Sequence, residues 1–310
     1  LRPIRLSRDG EYLFTGKVTS YRQQYVLGGL TQYTVAAADD IYTLAQAELP
    51  LTSTSVETSA ARLSAVLALV PYTGTTSITG TPTATLGAFD ITQDTNANAY
   101  VNRINQAEQG RIFVSRAGVL TFQPRIGTTL EAVTVTFNDT GTGTKYDNLG
   151  VEFDQQAITN SATVTLESGG TAQTSSDAAS IAEYFKQSLS INDSLLSSNA
   201  QALTLSDYLL DPKPEPRFTS MSSTFAALTD PQKTALAIME IGGSCTLLKT
   251  FPNGTPIAIT QALAIEGIDH EINVASGHRV TLYTSQTVVL NAFVLDDITY
   301  GVLDDLNALT

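Results

Sequence analysis

DTNANAYVNRINQAEQGRIFVSRAGVLTFQP, residues Asp94 to Pro124, is the stretch whose reading decides the fold. Ala97, Tyr100, Val101, Ile104 and Ala107 recur at helical spacing, while Asn98, Asn102, Asn105 and Gln106 fall on the other side, so an amphipathic helix is expected. Asp94 or Thr95 is its expected cap, and Gly110 is expected as the left-handed residue that ends it. Arg111–Val114 then reads as a strand, Ser115–Gly118 as a turn, and Val119–Gln123 as the return strand before Pro124. Tyr100, Val101, Ile104, Ile112 and Phe122 are expected to share one buried cluster. Glu108 has no acidic, histidine or cysteine neighbour in sequence and reads as structural rather than catalytic.

Towards the N-terminus, Glu11 to Ser20 and Thr31 to Ala37 read as strands around the turn Gly28-Gly29. Leu1 is not a start methionine and the first residues run straight into a strand, so an upstream part of this first β-domain is expected to be missing. Asp39 is the expected cap of a helix that stops at Pro50, and Thr58 or Ser59 opens another carrying Leu63, Val66, Leu67 and Val70. Residues 72–90 form a Thr/Gly/Pro loop. Its nearly uncharged part, Thr73 to Thr85, is either an arm that packs on another chain or a disordered loop.

Towards the C-terminus, strands are expected at Glu131 to Phe137 and within 146–166. Helices follow, one presenting Ile181, Tyr184 and Phe185 from a cap near Ser176, the other presenting Ala202, Leu205 and Leu209. Pro212, Pro214 and Pro216 impose an extended segment. A strand from Phe218 to Phe225, a helix opened by Asp230-Pro231, and strands at Thr246–Phe251, Ile257–Ile272 and Val280–Val289 complete the pattern, with a bulge expected near Gly267. Phe14-Thr15-Gly16 before Tyr33-Thr34-Val35 parallels Ile265-Glu266-Gly267 before Val280-Thr281-Leu282. Two related small β-barrels and a coincidence of short strands both fit this weak repeat.

The fold class read from these elements is α+β, mainly β: two small β-barrel-like domains with helix-plus-hairpin domains between them. Residues 1–38 are the C-terminal part of the first barrel domain, and 39–137 the helix-and-hairpin domain with its Thr-rich loop 72–90. Residues 138–288 are the second barrel domain, with a helical insertion at about 170–211, and 289–310 a C-terminal arm.

Seventeen Lys and Arg against thirty Asp and Glu give a net charge of −13, so the average surface repels nucleic acid and anionic membranes. One cysteine, Cys245, excludes an intrachain disulfide, and with His270 and His278 it makes too small a soft-ligand set for a usual zinc site. No apolar run has the length of a bilayer span. Thr15-Gly16-Lys17-Val18 and Gly141-Thr142-Gly143-Thr144-Lys145 lack the spacing of a phosphate loop, and Gly242-Gly243-Ser244-Cys245 lacks that of a nucleophile elbow. Cys245 reads as core filler. His270 and His278 flank a turn across which they can meet, without an acid partner evident in sequence. Asp296-Asp297 and Asp304-Asp305 lack a calcium-loop pattern and read as solvated pairs; the Asn-x-Ser/Thr triplets at Asn138, Asn192 and Asn253 are expected by chance in a Thr-rich chain. No catalytic, cofactor-binding or metal residue is therefore assigned.

The unit from Asn102 to Phe122 resembles the minor tail proteins that form the tail-tip hub of long non-contractile-tailed bacteriophages. Ser180-Ile181-Ala182-Glu183-Tyr184, Glu240-Ile241-Gly242, Ile265-Glu266-Gly267-Ile268 with His270, Phe293 to Asp297, and Tyr300 to Asp304 are similar to segments of that family in the same order. The resemblance implies a non-enzymatic homotrimer at the virion tail tip, a hub ring closing the tail tube. Each chain would give two barrel domains to match a six-fold tube. The partners it implies are the distal tail protein or tail tube protein, the tape-measure protein and other tip proteins, with genome DNA passing unbound. The alternative reading is a surface or secreted β-rich binding module without catalysis.

Overall fold

The computed structural model describes residues 2–125, 135–152, 154, 157–167, 169–213, 217–251 and 258–286. Expectations on Glu131, Phe153, Pro214, Pro216, Asn253 and the segment 289–310, with both of its Asp pairs, lie outside the described residues.

Strands β1 (Pro3–Arg8), β2 (Glu11–Gln24) and β3 (Gln32–Ala38) form an antiparallel meander in that order. Asp39 then caps helix α1 (Asp40–Ala45), its carboxylate accepting from the Ile41 N–H at 3.0 Å. Short strands β4 (Glu48–Leu49) and β5 (Glu57–Thr58) lead into α2 (Ser59–Leu69), capped by Thr58. After β6 (Thr75–Ile78), β7 (Thr85–Leu86) and β8 (Thr95–Asn96) come α3 (Ala97–Glu108), β9 (Arg111–Val114) and β10 (Val119–Gln123). Strand β10 lies between β9, antiparallel, and β6, parallel. The Thr-rich segment is thus ordered on its own chain, with Thr75–Ile78 zipped to Val119–Phe122, and is not a free arm.

The expected helix and hairpin are present, with two differences at the helix ends. Asn96, nearer the first turn than Asp94 or Thr95, caps α3 through Oδ1 to the Ala99 N–H at 3.0 Å. At the other end Gln109, not Gly110, takes the left-handed conformation (φ 55°). Its amide group offsets part of that strain by donating to the Gln106 carbonyl at 2.7 Å. Gly110 is required for a different reason: a Cβ there would stand 2.4 Å from the Gln123 carbonyl oxygen.

The remaining chain gives β11 (Val135–Asn138), β12 (Asn148–Glu152), β13 (Ser161–Leu166), β14 (Gln173–Ser176), α4 (Ala178–Tyr184), β15 (Ser188–Ser194) and α5 (Asn199–Tyr208). It closes with β16 (Arg217–Thr224), α6 (Asp230–Ala237), β17 (Ser244–Thr250), β18 (Ala258–Asn273) and β19 (Gly277–Gln286). A six-stranded sheet runs β11-β17-β18-β19-β16-β12, and a smaller one β14-β13-β15. The chain is mainly β with helices, as expected. Among the described residues, however, the large sheet ends at β11 and β12, which do not pair with each other, so no closed barrel is formed. The expected irregularity in β18 is present: its register with β19 shifts between Ile265 and Gly267.

Two cores organise these layers. One gathers Leu44, Leu63, Val66, Tyr100, Val101, Ile104, Leu120 and Phe122 with Val164, Ile191, Leu195 and Leu205, while Ile112 packs against it. The insertion expected at about 170–211 therefore shares a core with the helix-and-hairpin unit, although it interrupts the second β-segment in sequence. The other core joins Leu13 of β2 to Phe137, Phe218, Met221, Leu236, Leu247 and Leu282. Ile181 and Tyr184 are half-buried on α4, but Phe185 does not share their helical face: it ends the helix at φ 60° and is 82% exposed. Pro231 occupies the second helical position, since Thr229 is the cap and Asp230 the first residue of α6.

Candidate functional site

Polar groups from distant parts of the chain converge on the joint between the N-terminal meander, the β9–β10 hairpin and the six-stranded sheet. Arg116, in the hairpin turn, donates from its backbone N–H to Glu240 at 3.0 Å, while its guanidinium reaches the Tyr12 carbonyl at 3.2 Å and Glu11 at 3.4 Å. Arg111 of β9 forms a forked pair with Glu266 of β18, at 3.1 and 2.6 Å, and Ser285 donates to the same carboxylate. Burial acts to raise the Glu266 carboxyl, but Arg111 and Ser285 outweigh it and hold it below its ordinary range. Lys17, from the motif that fails as a phosphate loop, pairs with Asp40 at 2.7 Å, and the Tyr72 hydroxyl donates to that carboxylate at 3.0 Å. These pairs are struts between units.

His270 and His278 do meet across their hairpin, Nδ1 of the first lying 3.0 Å from Nε2 of the second. The group beyond them is not an acid but Arg8 of β1, 2.9 Å from His278 Nδ1. A guanidinium only donates, so His278 Nδ1 accepts and its Nε2–H donates to His270 Nδ1. Arg8 also covers the Phe225 ring at 4.6 Å, and the His278 ring stacks on Phe225 at 3.9 Å. Burial, with His270 and Arg8 beside it, pushes His278 down to about 4; burial lowers His270 as well, against Asp269. Both shifts favour the neutral imidazole.

A cavity of about 130 Å³ lies at this joint, lined among others by Thr15, Asp39, Arg116, Glu240 and His270. Burial raises the Asp39 carboxyl, opposed by its bond from Ile41 and aided by Asp40. Each of these carboxylates and the imidazole already serves a cap, an ion pair or the histidine chain, so the arrangement fixes the units against one another. Among the described residues no cluster of His, Cys, Asp or Glu is suited to a metal ion, and no helix is long and apolar enough to cross a membrane.

The other residues singled out have structural places. Cys245 is a free, fully buried thiol in β17, which burial pushes up to about 12. Gly242 and Gly243 bond to Ile265 through their backbones. Asn138 closes its own turn by accepting from the Thr140 hydroxyl at 2.6 Å and donating to Thr142 at 2.8 Å. Glu108 is fully buried and accepts from Ser59 Oγ at 2.7 Å, the Thr83 N–H and hydroxyl at 2.9 and 2.8 Å, and the Ala84 N–H at 2.9 Å. Sequence reading passed over Arg62, buried in α2, which pairs with Glu57 and donates to the Tyr100 hydroxyl at 2.8 Å and to the Ser55 and Gly87 carbonyls. Its only sequence signal is its place beside Leu63 on the stripe expected to be apolar.

Large exposed apolar residues are concentrated on the β2–β3 hairpin: Tyr21, Tyr25, Val26, Leu27, Leu30, Tyr33 and Val35. Tyr21 and Tyr33 stack across the strands at 5.8 Å. A surface of this kind marks an interaction site more readily than scattered apolar residues do.

No protein-family model and no curated protein sequence matches the chain. Solved structures do. The tail protein from Neisseria meningitidis MC58 superposes over 91% of this chain and 82% of its own, with a TM-score of 0.66 at 12% identity. The 43 kDa tail protein of prophage MuSo2 from Shewanella oneidensis covers 92% and 83%, with a TM-score of 0.62 at 13% identity. An Escherichia coli component of the type VI secretion system, described as structurally similar to the T4 bacteriophage tail proteins gp27 and gp5, covers 92% of this chain and 63% of its own, with a TM-score of 0.56 at 10% identity. At such identities the shared property is the fold, and it is a fold found in phage tail proteins.

Proposed function

We propose that the chain is a structural, non-enzymatic component of a phage tail tip: a homotrimeric hub ring that closes the tail tube, joins it to host-contacting tip proteins and lines part of the DNA passage. The observation that carries this reading is the fold shared with phage tail proteins over about nine-tenths of the chain. The type VI secretion component described as similar to the T4 tail proteins gp27 and gp5 shares this fold as well. In this reading the three-stranded meander and the six-stranded sheet of each chain are the two β-parts with which a three-fold ring meets a six-fold tube. Its neighbours in this reading are the distal tail or tube protein, the tape-measure protein and further tip proteins.

The net charge of −13 fits a passage for DNA, because each lumen-facing cation would add a phosphate contact and impede sliding. Imaging the purified protein tests the reading. Three-fold rings with an acidic lumen and no measurable affinity for duplex DNA at moderate salt are expected. A monomer that binds a glycan or peptide would instead support a surface binding module.

A further inference from the structure

We propose that β3 of one copy pairs edge to edge with β12 of a second copy, so that copies join head to tail. This deepens the homo-oligomeric reading above and rests on it. The first observation is an unguarded edge. Among the described strands β3 ends its sheet, residues 32–36 are exposed, and Gln32–Ala38 contains no charge and no proline. Such an edge is a template for another strand, and natural proteins blunt it with lysine, proline, a bulge or brevity. Strand β1, at the opposite edge of the same sheet, carries guards of that kind in Pro3, Arg5 and Arg8. Its contrast with β3 argues that β3 is covered in the assembled protein.

The second observation is the side-chain surface beside that edge. Tyr21, Tyr33 and Val35 lie on one face of the hairpin, by register and by the ring contact, and are 59%, 58% and 48% exposed. Tyrosines with a free apolar face and a polar tip are enriched in protein interfaces. On the other side, β12 ends the six-stranded sheet, pairs only with β16 among the described strands, and exposes 53% of Val151.

Charge selects the partner strand. Lys17 is taken by Asp40, which leaves the exposed Arg22, in register with Thr34, as the charge beside the β3 edge, whereas β12 is bounded by the exposed Asp147 and Glu152. Pairing β3 with a second β3 would bring Arg22 towards Arg22, whereas pairing it with β12 brings Arg22 towards Asp147 and Glu152. The two surfaces differ, so the contact is heterologous, and repetition closes a ring wherever the rotation allows.

The test uses the full chain with cysteine pairs scanned over residues 33–35 and 149–151, Cys245 being buried and out of reach. Mild oxidation is expected to give covalent multimers from at least one pair and none from the single variants. Val35→Lys, which places a charge on the edge, is expected to raise the dissociation constant of the assembly by about tenfold or more while leaving the far-ultraviolet circular dichroism spectrum unchanged. An assembly that forms normally in Val35→Lys and yields no cross-link with any pair overturns the β3–β12 contact and leaves the homo-oligomer standing. Cross-links formed only within one chain overturn it too. A wild-type chain that stays monomeric at every concentration removes the oligomeric reading itself.

Discussion

Glu108 holds the Thr-rich segment against the first core, and replacing it measures how much that segment depends on one buried carboxylate. Its four bonds reach Ser59 at the start of α2 and the Thr83–Ala84 backbone just before β7. In Glu108→Ala the N–H groups of Thr83 and Ala84 lose their acceptor, at about 1–3 kcal/mol each. The two hydroxyls lose weaker bonds, and removing a buried charge returns part of its desolvation cost. The expected net loss is about 3–5 kcal/mol. Glu108→Gln keeps an acceptor towards Thr83 but turns its amide donors towards Ala84, so about 1–3 kcal/mol is expected. Urea unfolding followed by far-ultraviolet circular dichroism gives both values. Hydrogen exchange at the Thr83 and Ala84 amides reports whether the damage is local. A loss below about 1 kcal/mol in Glu108→Ala, with both amides still protected, would refute the reasoning.

Further outcomes follow from other contacts. Ile104→Ala, which empties a fully buried position of α3, is expected to cost about 2–5 kcal/mol in the same assay. Gln109→Gly should stabilise by up to about 1 kcal/mol because it relieves a left-handed residue, whereas Gly110→Ala should destabilise because its Cβ meets the Gln123 carbonyl; equal effects at the two positions would contradict the assignment of the helix end. His278 is held down to about 4 in the folded state, against an ordinary value of about 6.5, so the unfolded chain binds its proton first. Its neutral-state contribution is thus complete above pH ~6.5 and is lost as pH falls towards ~4, and His278→Phe should flatten that part of the melting-temperature profile.

Local signals carried well from sequence to structure, and non-local ones did not. The stripe from Ala97 to Ala107, the strands on either side of Gly118 and the Asp39 and Thr58 caps all depend on residues within a few positions of each other. The constraint on Gly110 comes not from a left-handed turn but from the backbone of Gln123, which becomes a neighbour only once the hairpin has formed. The parallel pairing of β6 with β10, and of β13 with β15, has no signature within either strand. The joint shows the same limit. That His270 and His278 are neighbours was readable from their hairpin, but Arg8 reaches them from 270 residues away. Arg62 was passed over because a buried cation is intelligible only with Glu57, Tyr100 and two carbonyls already around it.

The central claim, a hub at the end of a phage tail, is tested most directly by labelling intact tailed particles from the source that encodes this chain with antibodies against it and imaging them by electron microscopy. Label confined to the tail end farthest from the capsid is the predicted result. Label along the tail shaft or on the capsid, or virions left unlabelled after the tail tip has been opened, would contradict it.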